Sequence, residues 1–458
     1  MRDPGSLSLW HDLLPQPIAP RDPLTGRHEF DVAIVGGGYT GLWTAYYLAK
    51  ADPHLRICLL EKVFCGFGAS GRNGGWCSAH FPASLPKMAA SSGRAAAVAQ
   101  IRELFSTIDE IACVLGEEGI EASWHKGGTL RAAVNIAQVE GLRRRLADQR
   151  AWGFGEDDYV WLSADEARAR VNADATLAGH YTPHCAAFDP ARLAVGLVAA
   201  VERLGVRVFE QSPVLGFDDR RLELASGSVS ADVIVLAMEA YAAAMPRWHR
   251  DLIPLYSLMV ATEPLSARHL EQIGWENREC FTDGRHLTVY LQRTADGRIA
   301  MGGRGAPYHY ESRVLDTFDG APRVFRHLRE SLLALFPALG DVGFTHSWGG
   351  PLGVPRDWYS SVTYERASGY AHAGGYVGNG VAISNLAGRT LRDLILGVDS
   401  DIVHLPWVNH RSPQWETEPW RWMAINSALR LMGVSDVEER LAARPSRLAG
   451  LVDKLVGM

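Results

Sequence analysis

The pattern of hydrophobic and polar residues near the N-terminus predicts a strand, a glycine turn, a helix and a second strand. The segment FDVAIVGGGYTGLWTAYYLAK (30–50) begins with an apolar run and continues, after three glycines, with a helical pattern. LRICLLE (55–61) is a second apolar run, which is typical of a buried strand in a parallel sheet. Together these segments predict a right-handed β-α-β unit.

The same periodicities predict a second α/β stretch and a set of antiparallel strands. A helix is predicted over 189–205, and strands over 206–217 and 231–243. Residues 255–305 alternate as antiparallel strands do. The segment 369–397 again predicts a strand, a glycine turn and a helix.

Other segments are predicted with less detail. Residues 1–28 are expected to form an irregular lead-in. Amphipathic helices are predicted near 95–120 and 136–150, with a strand at 127–134 between them, and a tryptophan-rich helical tail follows Pro406.

Composition narrows the class of protein. A chain of 458 residues with 47% hydrophobic and 21% charged residues is typical of a globular protein with two interleaved domains. The net charge of −6 argues against binding to nucleic acid or an anionic membrane. The run Arg143, Arg144 and Arg145 is interpreted as a solvated helix face.

The six cysteines show neither a C-x-x-C pair nor zinc spacing, so no metal site is predicted. There is no secretory signal before residue 30 and no apolar stretch long enough to span a bilayer. We therefore predict a cytoplasmic location.

A dinucleotide-binding motif joins the first strand to the first helix. Gly36 permits the tight turn, Gly38 lets the backbone approach a pyrophosphate, and Gly41 lets helix and strand pack closely. The helix N-terminus favours phosphate charge. Glu61 ends the next strand, twenty residues after Gly41, where a carboxylate can hold ribose hydroxyls. The motif predicts a dinucleotide but does not distinguish FAD from NAD.

A second glycine-rich stretch, GFGASGRNGG (66–75), decides between these cofactors. With the other motifs it resembles the D-amino-acid oxidase/glycine oxidase superfamily of FAD enzymes. It is most similar to the γ-glutamylputrescine-oxidase-like branch, which carries GASGRNGG. The resemblance extends from Asp31 to about Gly397.

The resemblance implies an α/β fold, with an α+β substrate domain. A Rossmann-type FAD-binding domain would be interleaved with an antiparallel-sheet substrate domain and followed by a helical C-terminal tail. The predicted boundaries are 1–28 for the lead-in, 29–90, 180–250 and 340–400 for the FAD-binding domain, 91–179 and 251–339 for the substrate domain, and 401–458 for the tail.

The resemblance also implies which residues hold FAD, and we predict that the cofactor is bound non-covalently. The helix that follows the 374–380 turn would direct its N-terminus at the N1–C2=O edge of the flavin, where the reduced ring is anionic. The predicted cofactor-binding residues are Gly36, Gly38, Tyr39, Thr40, Gly41, Glu61, Lys62, Gly68, Ala69, Ser70, Arg72, Asn73, Gly74, Gly75, Val214, Ala237, Gly349, Gly375, Val377, Gly378, Asn379, Gly380 and Val381.

Members of the family oxidise C–N bonds by hydride transfer to flavin, which gives an imine and commonly, after reaction with oxygen, hydrogen peroxide. In glycine-oxidase-like members an arginine that binds the substrate carboxylate stands where this chain has Val377. Valine cannot form a bidentate clamp. We therefore expect a primary or secondary amine rather than a simple α-amino acid, although Arg293 or Arg304 could substitute for the missing arginine.

Three residues are candidates for the catalytic site. Tyr290 lies on a strand that faces the flavin in relatives, but it could equally pack within the sheet. His346 could relay a proton, although a lone histidine is more often structural. Trp348 could form a wall of the pocket or belong to the core.

Two other functions stay open at this point. One is a flavin dehydrogenase that passes electrons from amines or D-amino acids to a quinone or carrier. The other is a flavin-containing binding subunit without turnover. The 374–380 turn disfavours an NAD-dependent dehydrogenase. The predicted partners are a small amine and oxygen, and no oligomeric state is predicted.

Overall fold

A computed structural model describes residues 3–218, 220–442 and 446. Two eight-stranded sheets and one two-stranded sheet make up its β-structure. The strands within these residues are β1 (Gly26–Val35), β2 (Ile57–Leu60), β3 (Trp76–Ser78), β4 (Thr129–Ala133), β5 (Val160–Ser163), β6 (Ala178–Thr182), β7 (Cys185–Ala187), β8 (Arg207–Phe209), β9 (Val214–Asp218), β10 (Arg221–Leu224), β11 (Gly227–Leu236), β12 (Leu252–Thr262), β13 (Cys280–Asp283), β14 (Val289–Arg293), β15 (Ile299–Gly303), β16 (Phe344–Pro355), β17 (Ser361–Glu365) and β18 (Tyr370–Gly374).

Helices pack against one face of each large sheet. The α-helices of the described residues are α1 (Leu9–Asp12), α2 (Tyr39–Ala51), α3 (Ala69–Arg72), α4 (Leu85–Glu118), α5 (Ile136–Ala151), α6 (Ala164–Arg170), α7 (Pro190–Arg203), α8 (Ala267–Ile273), α9 (Pro322–Leu335), α10 (Gly380–Leu396) and α11 (Trp420–Ala442). Short 3-10 segments occur at Pro4–Leu7, Glu239–Ala244, Pro246–Trp248, Tyr310–Ser312, Asp316–Asp319, Pro337–Leu339 and Asp401–His404.

The first sheet is built around a parallel core in the order β18, β11, β1, β2, β8, with β17, β10 and β9 added antiparallel. Residues 32–35 of β1 are buried without alternation, because Val32 and Ile34 pack in the core that the helices cover, whereas Ala33 and Val35 pack on the other face with residues of β9 and β10. β1, α2 and β2 follow in the predicted order, so the β-α-β prediction is confirmed.

The second sheet has the order β16, β12, β15, β14, β13, β4, β6, β5 and is antiparallel except between β13 and β4. Helix α9 buries Leu328 and Leu332 in the core of this sheet. The predicted fold class is confirmed. Within 255–305, the helix α8 between β12 and β13 was not predicted.

Two further segments differ from the sequence-based expectation, and the predicted helical tail agrees with it over the described residues. The lead-in is not wholly irregular, because α1 buries Leu9, Trp10 and His11 against the rest of the protein. β16 was assigned to the FAD-binding domain but belongs to the second sheet, where it pairs with β12. Of the predicted tail 401–458, α11 is helical, and residues 443–445 and 447–458 lie outside the described part. None of the helices in the described residues has the length and apolar character needed to cross a membrane.

Two helical glycines provide a test of helix packing. A Cβ at Gly388 of α10 would lie 2.7 Å from the Trp43 carbonyl carbon on α2, whereas a Cβ at Gly433 of α11 would meet nothing within 4 Å. Overpacking costs about 1–3 kcal/mol or more, and alanine in place of glycine contributes about 1 kcal/mol to a helix. We therefore expect Gly388→Ala to lower the thermal midpoint and Gly433→Ala to leave it unchanged or raise it. If both variants changed the thermal midpoint by the same amount in the same direction, the close packing of α2 on α10 would be contradicted.

Candidate active site

The parallel strands of the first sheet bring distant predicted residues to one edge. Gly36 follows β1, Glu61 follows β2, Ala237 follows β11 and Gly375 follows β18, and these four strands run in the same direction. The carboxyl edge of such a sheet is where α/β proteins bind nucleotides. The structure therefore gathers the first dinucleotide motif and the C-terminal turn at one place.

The glycines of the first motif are required by close backbone contacts. Gly36 has a φ of 112°, and a Cβ there would lie 2.5 Å from the carbonyl oxygen of Ala237. A Cβ at Gly41 would lie 2.0 Å from the carbonyl oxygen of Gly36. Helix α2 starts after Gly38 without a side-chain cap, so its N-terminus can receive a phosphate.

Glu61 is fixed beside this turn by backbone donors. One carboxylate oxygen accepts the N–H of Gly37 at 2.8 Å, and the other accepts the N–H of Val63 at 2.9 Å. Burial raises the pKa of the Glu61 carboxyl, and these two N–H groups oppose that shift. Each oxygen keeps a further acceptor site, so ribose hydroxyls can still donate to it.

The second glycine-rich stretch, residues 66–75, lies between the two large sheets and is held by side chains from distant segments. The indole N–H of Trp10 donates to the carbonyl of Asn73 at 2.8 Å, and that of Trp348 donates to the carbonyl of Arg72 at 2.9 Å. The amide of Gln292, on β14, donates to the carbonyl of Gly74 at 2.9 Å. These buried donors fix a backbone that has few partners of its own.

Arg72 was predicted to bind the cofactor, and its guanidinium already has protein partners. It is buried, forms an ion pair with Asp319 at 2.8 Å, and donates to the hydroxyl of Tyr241 at 2.9 Å and the carbonyl of Gly349 at 3.1 Å. Arg72 therefore ties the 66–75 loop to the strand β16. Ser70 likewise accepts the N–H of Tyr39 at 2.9 Å.

The C-terminal turn combines unusual backbone with a buried carboxylate. Val377 has a φ of 55°, which is strained for a β-branched residue and is typical of functional sites. Its carbonyl accepts a hydrogen bond from Arg304 at 3.1 Å. Glu239 accepts the N–H groups of Tyr376 at 3.0 Å and Gly353 at 2.5 Å. Helix α10 follows this turn and has no side-chain cap.

A cavity of about 500 Å³ opens where the 66–75 loop, the 377–381 turn and the second sheet meet. Of the predicted site residues, the following line it: Ala69, Arg72, Asn73, Gly74, Tyr290, Val377, Gly378, Asn379 and Val381. The phosphate and ribose candidates lie outside it, at the edge of the first sheet. Lys62 is exposed beside Glu61, and Val214 is half-buried at the start of β9.

Tyr290 is the one predicted catalytic residue that reaches the cavity. Its ring lies against Gly74, where a Cβ would approach the ring to 2.5 Å, and its hydroxyl is 2.8 Å from the Oγ of Ser257. A Cβ at Gly302 would also overlap this ring, at 2.3 Å, so glycine at that position makes room for it.

The structure does not bring His346 or Trp348 to the cavity. His346 is 3.2 Å from the carboxylate of Asp12 on α1, and Trp348 is buried with its ring edge-on to Trp10, at 6.2 Å between centroids. Both side chains lie on the face of β16 that α1 covers. His346 was predicted as a possible proton relay and Trp348 as a possible pocket wall. In the structure both make contacts behind the 66–75 loop instead.

Sequence reasoning missed the residues at the other end of the cavity. Arg131, Arg145, His80 and His180 all line it. They come from separate elements, so no local motif connects them. One signal was present: Arg131 lies between buried Leu130 and Ala132 in a strand, and a charge in that setting is often functional. Arg293, named as a substitute clamp, donates to the carbonyl of Trp275 instead, whereas Arg304 does line the cavity.

The fold and these two glycine-rich segments define a nucleotide-binding oxidoreductase of the flavoprotein class. A family model described as "FAD dependent oxidoreductase" (DAO) matches residues 31–394. The chain belongs to this DAO family, and it is an FAD-dependent oxidoreductase. The predicted family, cofactor and enzyme class are confirmed.

Individual relatives agree with this assignment. The chain is similar to the probable oxidoreductase OrdL of Haemophilus influenzae, with 28% identity over 82% of this chain and 85% of that protein. It is 29% identical to the gamma-glutamylputrescine oxidoreductase of Escherichia coli, over 83% and 86% of the two chains. The crystal structure of glycine oxidase from Geobacillus kaustophilus shares the fold, with a TM-score of 0.70, 21% identity, and coverage of 84% of this chain and 100% of that one.

The residues present fit FAD. The glycine turn at 36–41 forms a cradle that a Cβ would fill, helices α2 and α10 begin without side-chain caps, and Glu61 is positioned at the edge of the sheet. The cavity beside the 66–75 loop offers room for a ring system. In the described residues, no group of three or more histidine, cysteine or acidic side chains could hold a metal ion.

Two variants on β16 test the corrected roles. Trp348→Phe leaves the carbonyl of Arg72 without its indole donor, and an unsatisfied buried group costs about 1–3 kcal/mol. We expect the dissociation constant for FAD to rise about tenfold or more, with kcat of the FAD-saturated enzyme within about twofold of wild type. His346→Gln is the matched control and should change neither quantity. A changed pH profile of kcat in His346→Gln would instead support the prediction that His346 relays a proton.

Proposed function

We propose that this protein oxidises the C–N bond of a primary or secondary amine, giving an imine that hydrolyses to an aldehyde, with hydrogen peroxide as the second product. FAD, when bound, supplies the acceptor for the hydride. The names of two relatives, a gamma-glutamylputrescine oxidoreductase and a glycine oxidase, support an amine or amino-acid substrate. A cytoplasmic location and a non-covalent cofactor are part of the proposal.

The proposal assigns FAD to the edge of the first sheet and to the loop between the sheets. Its phosphates and ribose would be held by the 36–41 turn and Glu61. The isoalloxazine would be held by residues 69–75 and 377–381. The segments 29–90, 180–250 and 340–400 would then supply most FAD contacts, and 91–179 and 251–339 most substrate contacts, with β16 as the exception.

The observation that carries the proposal is the open cavity beside the flavin-type loops. A flavin-containing binding subunit has no need of a space where a small molecule meets the ring. Here the cavity of about 500 Å³ extends from Gly74, Val377 and Tyr290, where the ring would lie, to Arg131, so it reaches beyond the place of the ring. Tyr290 and Ser257 would orient the substrate at this end through their hydroxyls, and the surrounding walls would limit the access of water.

The charges of the cavity favour the reactive form of an amine. An ammonium ion has no lone pair to assist hydride loss, so the substrate must be neutral at nitrogen. No aspartate or glutamate is among the described residues that line the cavity, whereas four arginines are. Nearby positive charge lowers the pKa of an ammonium group. The site would therefore bind the neutral amine without a dedicated general base.

Reduction by amines under anaerobic conditions tests this function. The yellow protein is mixed without oxygen with primary amines, N-methylated amines, aminophosphonates and D-amino acids, and air is then admitted. We expect at least one amine to bleach the absorbance near 450 nm, and air to restore it with release of peroxide. Bleaching that air reverses only slowly would indicate a dehydrogenase with another acceptor. Bleaching by no amine would contradict an amine-oxidising role.

A further inference from the structure

The end of the cavity away from Gly74 contains two arginines and two histidines that the amine chemistry does not use. Arg131 lies on β4, Arg145 on α5, and His80 follows β3. Arg131 is paired across the strands with Thr282 on one side and His180 on the other. The side chains of Arg131, Thr282 and His180 all line the cavity, so they share one face of the second sheet with Tyr290.

The position of Arg131 in the sheet gives the distance between the two ends of the cavity. Tyr290 is on β14, and β13 alone lies between β14 and β4. Neighbouring strands are about 4.8 Å apart, so the backbones of Tyr290 and Arg131 are separated by roughly 10 Å. A molecule that reaches both must therefore be extended.

These arginines have few partners of their own. Arg145 is exposed and lines the cavity, and it forms no hydrogen bond or ion pair with any residue that the structure describes. Arg131 donates one hydrogen bond, at 3.1 Å, to the carbonyl of Asp283. The carboxylate of Asp283 is bound by Arg285 instead, at 2.5 Å. The guanidinium groups of Arg131 and Arg145 thus present N–H donors to the cavity that have no acceptor among the described residues.

The titration behaviour of the group agrees with a site of excess positive charge. Burial, with the charge of Arg145, lowers the pKa of Arg131 to about 9. Burial, with the charges of Arg145 and Arg131, lowers the pKa of His80 and of His180 to about 3. Arg131 is half-buried and Arg145 is exposed, so an oxyanion that enters the cavity can reach both guanidinium groups.

The flavin cofactor does not account for this site. Its phosphates belong at the N-terminus of α2, on the first sheet, whereas Arg131 and Arg145 belong to the second sheet and the helix beside it. An anion bound at these arginines would therefore belong to the other molecule that enters the cavity, which is the substrate.

We propose that Arg131 and Arg145 bind an oxyanion at the far end of the substrate, so that the substrate is an extended amine with a carboxylate or phosphonate several atoms from its nitrogen. This inference rests on the proposed function. It excludes glycine and similar α-amino acids as good substrates, because their carboxylate lies next to the amine. It also divides the run Arg143–Arg145: Arg144 and Arg145 are both exposed, but Arg144 lies 3.9 Å from Glu140, whereas Arg145 lines the cavity.

A chain-length series tests the proposal on the FAD-loaded enzyme. The probes are glycine, 4-aminobutyrate, 5-aminopentanoate, 6-aminohexanoate and 3-aminopropylphosphonate, with butylamine and pentylamine as counterparts that lack the anionic group. We expect at least one longer amine with an anionic group to exceed both its counterpart and glycine at least tenfold in kcat/KM. Equal values for amines with and without the anionic group would overturn the proposal and leave the amine-oxidising function intact.

Removing one arginine charge at a time tests which residues bind the oxyanion. Arg145→Met and Arg131→Met keep most of the side-chain volume, and Arg144→Met on the same helix is the matched control. We expect each cavity variant to raise KM for the best anionic amine at least tenfold, with less than a twofold change for pentylamine. Arg144→Met should behave as wild type. Equal losses for pentylamine and the anionic amine, or no loss for either, would contradict the assignment.

A binding measurement separates this inference from the proposed function. Glutarate and phosphonoacetate carry the anion but no oxidisable amine, and calorimetry with the holoenzyme detects them without turnover. Binding that Arg145→Met weakens at least tenfold would support the oxyanion site even if no amine reduced the flavin. Absence of binding, or binding unchanged in Arg145→Met and Arg131→Met, would overturn the site.

Discussion

Three side-chain donors hold the carbonyl groups of residues 72–74, and the arrangement of the site depends on them. The donors are Trp348 on β16, Trp10 on α1 and Gln292 on β14. The carbonyls at the end of α3 and just beyond it must find partners, and here the partners lie far away in sequence. The loop, which follows β2 of the first sheet, is therefore fixed only when the second sheet and α1 are in place.

This fixation couples the two halves of the molecule. The first sheet supplies the turn and carboxylate suited to a nucleotide, and the second supplies the face that carries Tyr290, Arg131 and His180. Because Tyr290 lies directly on Gly74, the cavity extends from the loop along that face. Binding of the cofactor, orientation of the substrate and recognition of its anionic end thus share one rigid scaffold.

Motifs that are contiguous in the chain could be predicted from sequence, because their glycines serve local backbone geometry. The 36–41 turn, the 66–75 stretch and the 374–380 turn are of this kind. Residues whose role depends on what covers them could not be predicted. His346 and Trp348 are two positions apart on β16 and so share a face, but the sequence does not reveal that α1 covers that face. Similarly, only the packing of α5 shows that Arg145 differs from Arg144.

A crystal structure of the FAD-loaded protein with a bound dicarboxylate such as glutarate tests the account most directly. The account predicts flavin density between Gly74, Val377 and Tyr290, the nucleotide at the 36–41 turn beside Glu61, and a carboxylate on Arg131 and Arg145. Flavin density outside the cavity would contradict it, as would a flavin that fills the space up to Arg131 and leaves no room for a substrate.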